Sequence, residues 1–227
     1  MNIILFGPPG AGKGTQSQHL KEKYSLTYFS TGDILREEMS AETEIGKKVK
    51  DIIGKGGLVS DEIVVSMIES RIEANKDTDG FLFDGFPRTV RQAEMLDDIM
   101  KKSALKIDAV ISLEVPEDIL TERMLERGKT SGRADDNIES IKHRFVEYDE
   151  KTKPVLDYYR QQGCLHPICG VGKIEEIFDR ICKELETKGC AIPSFHIDAF
   201  ILKATLMAEW TTEKEFEHPT TTQVPPK

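Results

Sequence analysis

Cysteine is scarce in this chain and poorly placed for chemistry. The 227 residues include four, Cys164, Cys169, Cys182 and Cys190, all in the last third. None forms a C-x-x-C pair, so no structural zinc is expected. A reducing compartment would also keep them from pairing as disulfides. Cys182 falls on an apolar helical stripe and is expected in the core. Long apolar runs are lacking too: none approaches the ~20 residues that span a bilayer. No basic-then-apolar leader stands before the first strand, so the chain is expected in the cytoplasm, away from membranes. Positive charge is in short supply, with 31 Lys and Arg against 40 Asp and Glu and a net charge of -9. That balance argues against general nucleic-acid or anionic-membrane binding, which needs a basic face. A phosphate site in so acidic a protein has to gather its arginines locally. The Asn-Lys-x-Asp signature for reading guanine is absent as well.

What the chain does have is enough material for one good core, 38% hydrophobic residues against 31% charged. Its centre of gravity is the stretch Gly7-Pro8-Pro9-Gly10-Ala11-Gly12-Lys13-Gly14-Thr15. A short apolar run, Ile3 to Phe6, precedes it, and Gln16 to Tyr24 reads as a helix. A glycine-rich turn between a buried strand and a helix N-terminus lets backbone N–H groups converge on an anion, where the helix end adds partial positive charge. Lys13 supplies the point charge for the outer phosphates. The pattern G-x-x-x-x-G-K-[ST] holds through Lys13 and then meets Gly14, so Thr15 is the candidate for the hydroxyl near a metal.

Apolar strands at Leu26–Phe29, Phe81–Phe83, Ala109–Leu113 and Leu165–Ile168 alternate with helical patterns, which predicts an α/β fold with a parallel sheet covered on both faces. Pro167 marks the last strand as an edge. Ligands in such sheets bind beyond the carboxyl ends of the strands. Three marked segments lie there: the glycine loop, Ser30-Thr31-Gly32-Asp33, and Asp84-Gly85-Phe86-Pro87-Arg88. Residues 30–59 read as mostly helical with little apolar material, hence as a small mobile subdomain outside the core. Gly128 to Asp136 reads as a polar loop. Pro154 reads as a break before a short helix that runs to Gln162. Beyond Thr187 a helix over 194–210 is expected, followed by a disordered polar end.

Arg36, Arg88, Arg123, Arg127, Arg133 and Arg144 are the candidate anion-binding side chains. Moving a phosphoryl group requires alignment and stabilisation of charge on its equatorial oxygens, and the planar guanidinium grips those oxygens in pairs. Asp84, closing a buried strand, is the carboxylate placed to hold Mg²⁺, through water. Gln92 has two readings: Thr89-x-x-Gln92 is a capping box, and an amide also suits the edge of a purine.

Four motifs in chain order carry a resemblance: the Gly7–Thr15 loop, Ser30-Thr31-Gly32-Asp33-x-Leu35-Arg36, Asp84-Gly85-Phe86-Pro87-Arg88-Thr89-x-x-Gln92, and Ser131-Gly132-Arg133-x-Asp135-Asp136. Together, from Met1 to about Glu186, they resemble the adenylate kinases, a family whose loop also reads Gly-Lys-Gly-Thr. The resemblance implies a three-layer P-loop NTPase core with a five-stranded parallel sheet (1–29, 60–125, 137–186). It also implies a helical flap over AMP (30–59) and a short lid over ATP (126–136), with 187–227 as an extension. It implies that Gly10, Ala11, Gly12, Lys13, Gly14, Thr15, Arg127 and the Gly172 region hold ATP. AMP would be held by Thr31, Arg36, Gly57, Leu58, Val59, Gly85, Phe86, Pro87, Arg88, Gln92, Arg133 and Arg144. Lys13, Arg88, Arg123, Arg127, Arg133 and Arg144 would serve the transfer, with Mg²⁺ from Asp84 and Thr15. A monomer is expected by the same likeness. UMP/CMP kinases share the short lid but tend to have Ala in place of Thr31 and Asn residues in place of Thr89 and Gln92. A non-catalytic P-loop binding module is the rival of another class.

Overall fold

A computed structural model describes residues 1–131 and 136–187; the expected helix over 194–210 and the polar end lie outside them. The described chain runs β1 (Ile3–Phe6), α1 (Lys13–Tyr24), β2 (Thr27–Ser30), α2 (Thr31–Ser40), α3 (Glu44–Gly54), α4 (Asp61–Ala74) and β3 (Phe81–Asp84). It continues through α5 (Val90–Lys102), β4 (Ala109–Glu114), α6 (Glu117–Ser131), α7 (Ile138–Glu147), a π-helical turn (Tyr148–Thr152), α8 (Pro154–Gln161), β5 (Leu165–Cys169) and α9 (Ile174–Thr187). The strands form one parallel sheet in the order β2-β3-β1-β4-β5. The predicted α/β fold is present, with β5 and its Pro167 at an edge.

Successive strand side chains point to opposite faces, and the core divides accordingly. Ile4, Phe6, Phe29, Phe81, Phe83 and Val110 pack on one side with residues of α4, α5 and α8. Ile3, Leu5, Leu82, Ile111 and Leu113 pack on the other with α1, α6 and α9, including the buried Cys182. The middle strands are apolar throughout because both faces are covered. From β1 the chain runs to β2 and then β3 on one side, and then to β4 and β5 on the other. A crevice therefore opens at the carboxyl end of β1. Register pairs Ser30 with Asp84 and Leu5 with Asp84, which sets the ends of β2 and β3 beside the glycine loop.

One expectation, the polar loop over 128–131, is corrected, and two other segments take the following form. Residues 30–59 form helices, and Ile34, Leu35, Val49 and Val59 are buried in the same cluster as β3 and α4. Ile52 of the same segment is 40% exposed. The segment 128–131 is helical, because α6 runs on through Ser131 and the Thr130 hydroxyl donates to the Arg127 carbonyl at 3.2 Å. The short helix expected after the break at Pro154 is α8, with the proline in its first turn, where its missing N–H is no loss.

Gly46 is buried within α3, where glycine ordinarily weakens a helix. A Cβ there would lie 2.0 Å from the Glu38 carbonyl oxygen, so α2 and α3 meet backbone to backbone. Gly46→Ala is expected to destabilise by about 2 kcal/mol, lowering Tm by roughly 4–8 °C. A melting curve with unchanged or raised Tm would refute this packing.

Candidate active site

The glycine loop makes one end of the site. Gly10 and Gly12 have φ of 83° and 96°, a region that side chains disfavour. A Cβ on Gly10 would sit 2.8 Å from the Leu120 carbonyl oxygen. Gly12 caps α1, and its carbonyl accepts from Gln16 N–H at 3.1 Å. The helix therefore begins at Lys13, one turn earlier than the sequence pattern suggested. The Lys13 ammonium donates to the Gly7 and Pro8 carbonyls at 2.8 and 3.0 Å. Burial lowers its pKa to about 8; Asp84 opposes that shift, while Arg88, Arg144 and Arg127 add to it.

Asp84 is buried and its carboxylate accepts from the Tyr28 hydroxyl at 3.0 Å. Burial raises the Asp84 pKa, with Lys13, Tyr28 and Arg88 pulling it back down. The next turn is fixed by four bonds. Thr31 Oγ1 and Arg88 Nε both donate to the Gly85 carbonyl at 2.7 Å. Arg88 N–H donates to Gln92 Oε1 at 2.7 Å, and the Thr152 hydroxyl donates to the Arg88 carbonyl at 3.0 Å. Arg88 is thus held at its side chain and at both backbone groups.

Two further arginines meet at one acid. Arg127 grips Asp136 with Nε and Nη2, each at 2.7 Å, and Arg144 reaches the same carboxylate at 3.1 Å. The Asp136 side chain is fully buried. Arg123 donates to the Gly170 carbonyl at 3.3 Å, tying α6 to the turn after β5. Arg36 pairs with Asp33.

These groups surround a cleft of about 460 Å³ lined by Gly10 to Thr15, Asp84, Gly85, Arg36, Arg88, Arg123, Arg127 and Arg144. A hollow of about 80 Å³ adjoins it, lined by Thr31, Arg36, Gly57, Leu58, Val59, Gly85, Arg88, Gln92 and Arg144. A third, of about 70 Å³, includes Phe86 and Pro87 with Lys13, Arg88 and Arg144. Arg88 and Arg144 line all three. Gly172 lines none of them and lies in the β5–α9 turn with φ 123°. Arg133 falls outside the described residues.

The residues also fit a hard cation. Asp84 and Thr15 line the cleft together, and a Cβ on Gly14 would stand 4.0 Å from Asp84 Oδ2. Among the described residues no group of three or more His, Cys, Asp or Glu is able to hold a metal alone. A cation between Asp84 and Thr15 would complete its oxygen shell from water and phosphate, as Mg²⁺ prefers.

The family model of the adenylate kinases matches residues 5–164. The chain belongs to the adenylate kinase family. An adenylate kinase of Flavobacterium psychrophilum is 50% identical over 182 residues, covering 80% of this chain and 96% of the relative. One of Bacteroides fragilis is 46% identical over 187 residues, 82% of this chain and 99% of its own. One of Porphyromonas gingivalis is 46% identical over 181 residues, 80% and 93%. Adenylate kinase membership confirms the resemblance carried by the four motifs. Sequence reading left Tyr28 and Thr152 unassigned, gave Asp61 no part in the site and gave Asp136 no role beyond its place in a motif. Tyr28, Asp61 and Thr152 act through partners at least 28 residues away, and Asp136 through arginines on two different helices.

Proposed function

We propose that this protein transfers the terminal phosphoryl group of ATP to AMP, reversibly, giving two ADP, and so serves adenine-nucleotide balance and salvage. The observation that carries the reading is the convergence of Lys13, Arg36, Arg88, Arg123, Arg127 and Arg144 on one cleft in a chain of net charge -9. Family membership points the same way. The relatives reported above all bear the name adenylate kinase, which favours neither a UMP/CMP kinase nor a non-catalytic module.

In this reading Gly10 to Thr15 cradle the ATP phosphates, with Arg127 and the turn around Gly172 flanking that nucleotide. AMP lies in the adjoining hollow, its phosphate toward Arg36, Arg88 and Arg144 and its base toward Gln92. Leu58 and Val59 cover it, with Thr31, Gly57, Gly85, Phe86 and Pro87 completing the wall. Residues 30–59 and 126–136, Arg133 among them, close over the two nucleotides and exclude water, which would otherwise accept the phosphoryl group. The AMP phosphate is ionised near neutral pH, its second pKa being about 6. It attacks in line without a protein base. Lys13 and the guanidinium groups offset charge as the group moves. Mg²⁺, held by water from Asp84 and by Thr15, would neutralise charge on the ATP phosphates. The protein is proposed to work as a cytoplasmic monomer; no described helix is long and apolar enough to cross a membrane.

The test is phosphate transfer from ATP to AMP, CMP and UMP, assayed side by side. AMP is expected as the best acceptor; CMP in that place overturns the assignment. A pH dependence follows from Lys13, whose charged form holds phosphate. With its pKa lowered to about 8 in the free protein, kcat/KM for ATP should fall above about pH 8. Bound phosphate raises the pKa again, so kcat should persist to higher pH. Profiles of both parameters check this, and coincident limbs would contradict it.

A further inference from the structure

Gln92 meets its neighbours in a way that neither the capping box nor the family resemblance anticipated. It is 2% exposed and lines the hollow beside Arg88. Its backbone N–H donates to the Thr89 hydroxyl at 3.1 Å, as a cap requires. Its side chain does not close the box on Thr89. Oε1 instead accepts from Arg88 N–H at 2.7 Å, and Nε2 donates to Asp61 Oδ1 at 2.8 Å. The other Asp61 oxygen accepts from the Thr89 hydroxyl at 3.1 Å. Asp61 opens α4, so it reaches Gln92 from a different element.

The chemistry of these partners fixes which way the amide faces. A backbone N–H only donates, and an ionised carboxylate only accepts. Turning the amide over would set N–H against N–H at Arg88 and oxygen against oxygen at Asp61. A primary amide has two N–H groups and two acceptor sites. One of each is taken, so one donor and one acceptor remain, in a fixed order. That order suits a base edge with a ring-nitrogen acceptor beside an exocyclic amino donor, the edge of a 6-aminopurine. A 6-oxopurine presents the reverse order and would need the turned amide.

We infer that Asp61 is a specificity-determining positioning residue: it locks the Gln92 amide so that the hollow accepts a 6-aminopurine monophosphate and rejects a 6-oxopurine one. This rests on the reading that the hollow holds the acceptor nucleotide. Asp61 touches no substrate in this account and acts only through Gln92. In Asp61→Asn the new amide can donate as well as accept, so one of the two penalties on the turned Gln92 disappears. Asp61→Ser removes the carboxylate while Ser60 remains the N-cap of α4.

The experiment compares AMP with inosine 5′-monophosphate as acceptor in the full chain and in both variants, with Tm recorded for each. In the variants the AMP-to-IMP ratio of kcat/KM should fall roughly tenfold, through a higher KM for AMP and a lower KM for IMP. kcat at saturating AMP and KM for ATP should stay within about twofold, since Asp61 lies away from the transfer. An unchanged ratio in folded variants overturns the role of Asp61, whatever happens to Tm. Equal use of AMP and IMP by the unaltered protein overturns it as well. No transfer to AMP by the unaltered protein would instead sink the proposed function, so the two failures are distinguishable.

Discussion

Lys13→Ala is expected to lower kcat by at least about 10³-fold while leaving the fold intact. In the free protein the ammonium rests on the Gly7 and Pro8 carbonyls and lines the cleft proposed to hold the outer phosphates. Its charge there is worth more than in water, because the loop and helix start exclude solvent around it. Interactions that strengthen as the phosphoryl group moves show in kcat, whereas uniform binding shows only in KM. The loss should therefore fall mainly on kcat. Stability separates this from misfolding, and the sign can be worked out. The Lys13 pKa is about 8 folded against 10.5 for the free side chain, so the unfolded chain binds the proton more tightly. The charged lysine thus subtracts from stability below about pH 8, and that penalty fades as pH rises toward 10.5. At pH 7 the alanine variant should keep or raise its Tm. A kcat within tenfold of the parent, in a protein that still binds ATP, would overturn the assignment.

Arg88→Ala is expected to be nearly inactive, with kcat lower by ~10³-fold or more, the scale of a lost arginine contact to a transferring phosphoryl group. Arg88 lines the main cleft and both adjoining hollows, between the positions proposed for the two nucleotides. Its Nε bond to Gly85 and its two backbone bonds fix the guanidinium before any ligand arrives. Preorganisation of this kind spares reorganisation during the reaction. Arg88→Lys should remain strongly impaired, because an ammonium keeps the charge but not the planar fork. Steady-state kinetics on both variants provide the check. Full activity in the lysine form would mean that charge alone suffices.

Much of this was legible in the sequence where one local rule dominates. Ile3–Phe6 and Phe81–Phe83 announce buried strands because both faces of the sheet are covered, and glycines at fixed spacing announce the phosphate loop. The boundaries were not so clear. α1 starts at Lys13 because Gly12 adopts a left-handed conformation and its carbonyl already accepts a helical bond, a fact no propensity encodes. Residues 30–59 have little apolar material, yet Ile34, Leu35, Val49 and Val59 are buried beside β3 and α4. Asp136 was visible only as part of a motif, since its value lies in two arginines from α6 and α7 that folding brings to it. The capping box at Thr89 forms only in half: the Thr89 hydroxyl accepts the Gln92 N–H, while the Gln92 amide goes to Arg88 and to Asp61, 31 residues away.

Pro167, opposite Ser112 in the middle of β5, has a use beyond terminating a pattern. An open margin of sheet is a template for any extended chain that drifts past. Halfway along this margin the proline offers no hydrogen to an incoming backbone, so a second strand would find its zipper missing a tooth. A single ring closure thereby helps keep the sheet finite in a crowded solution.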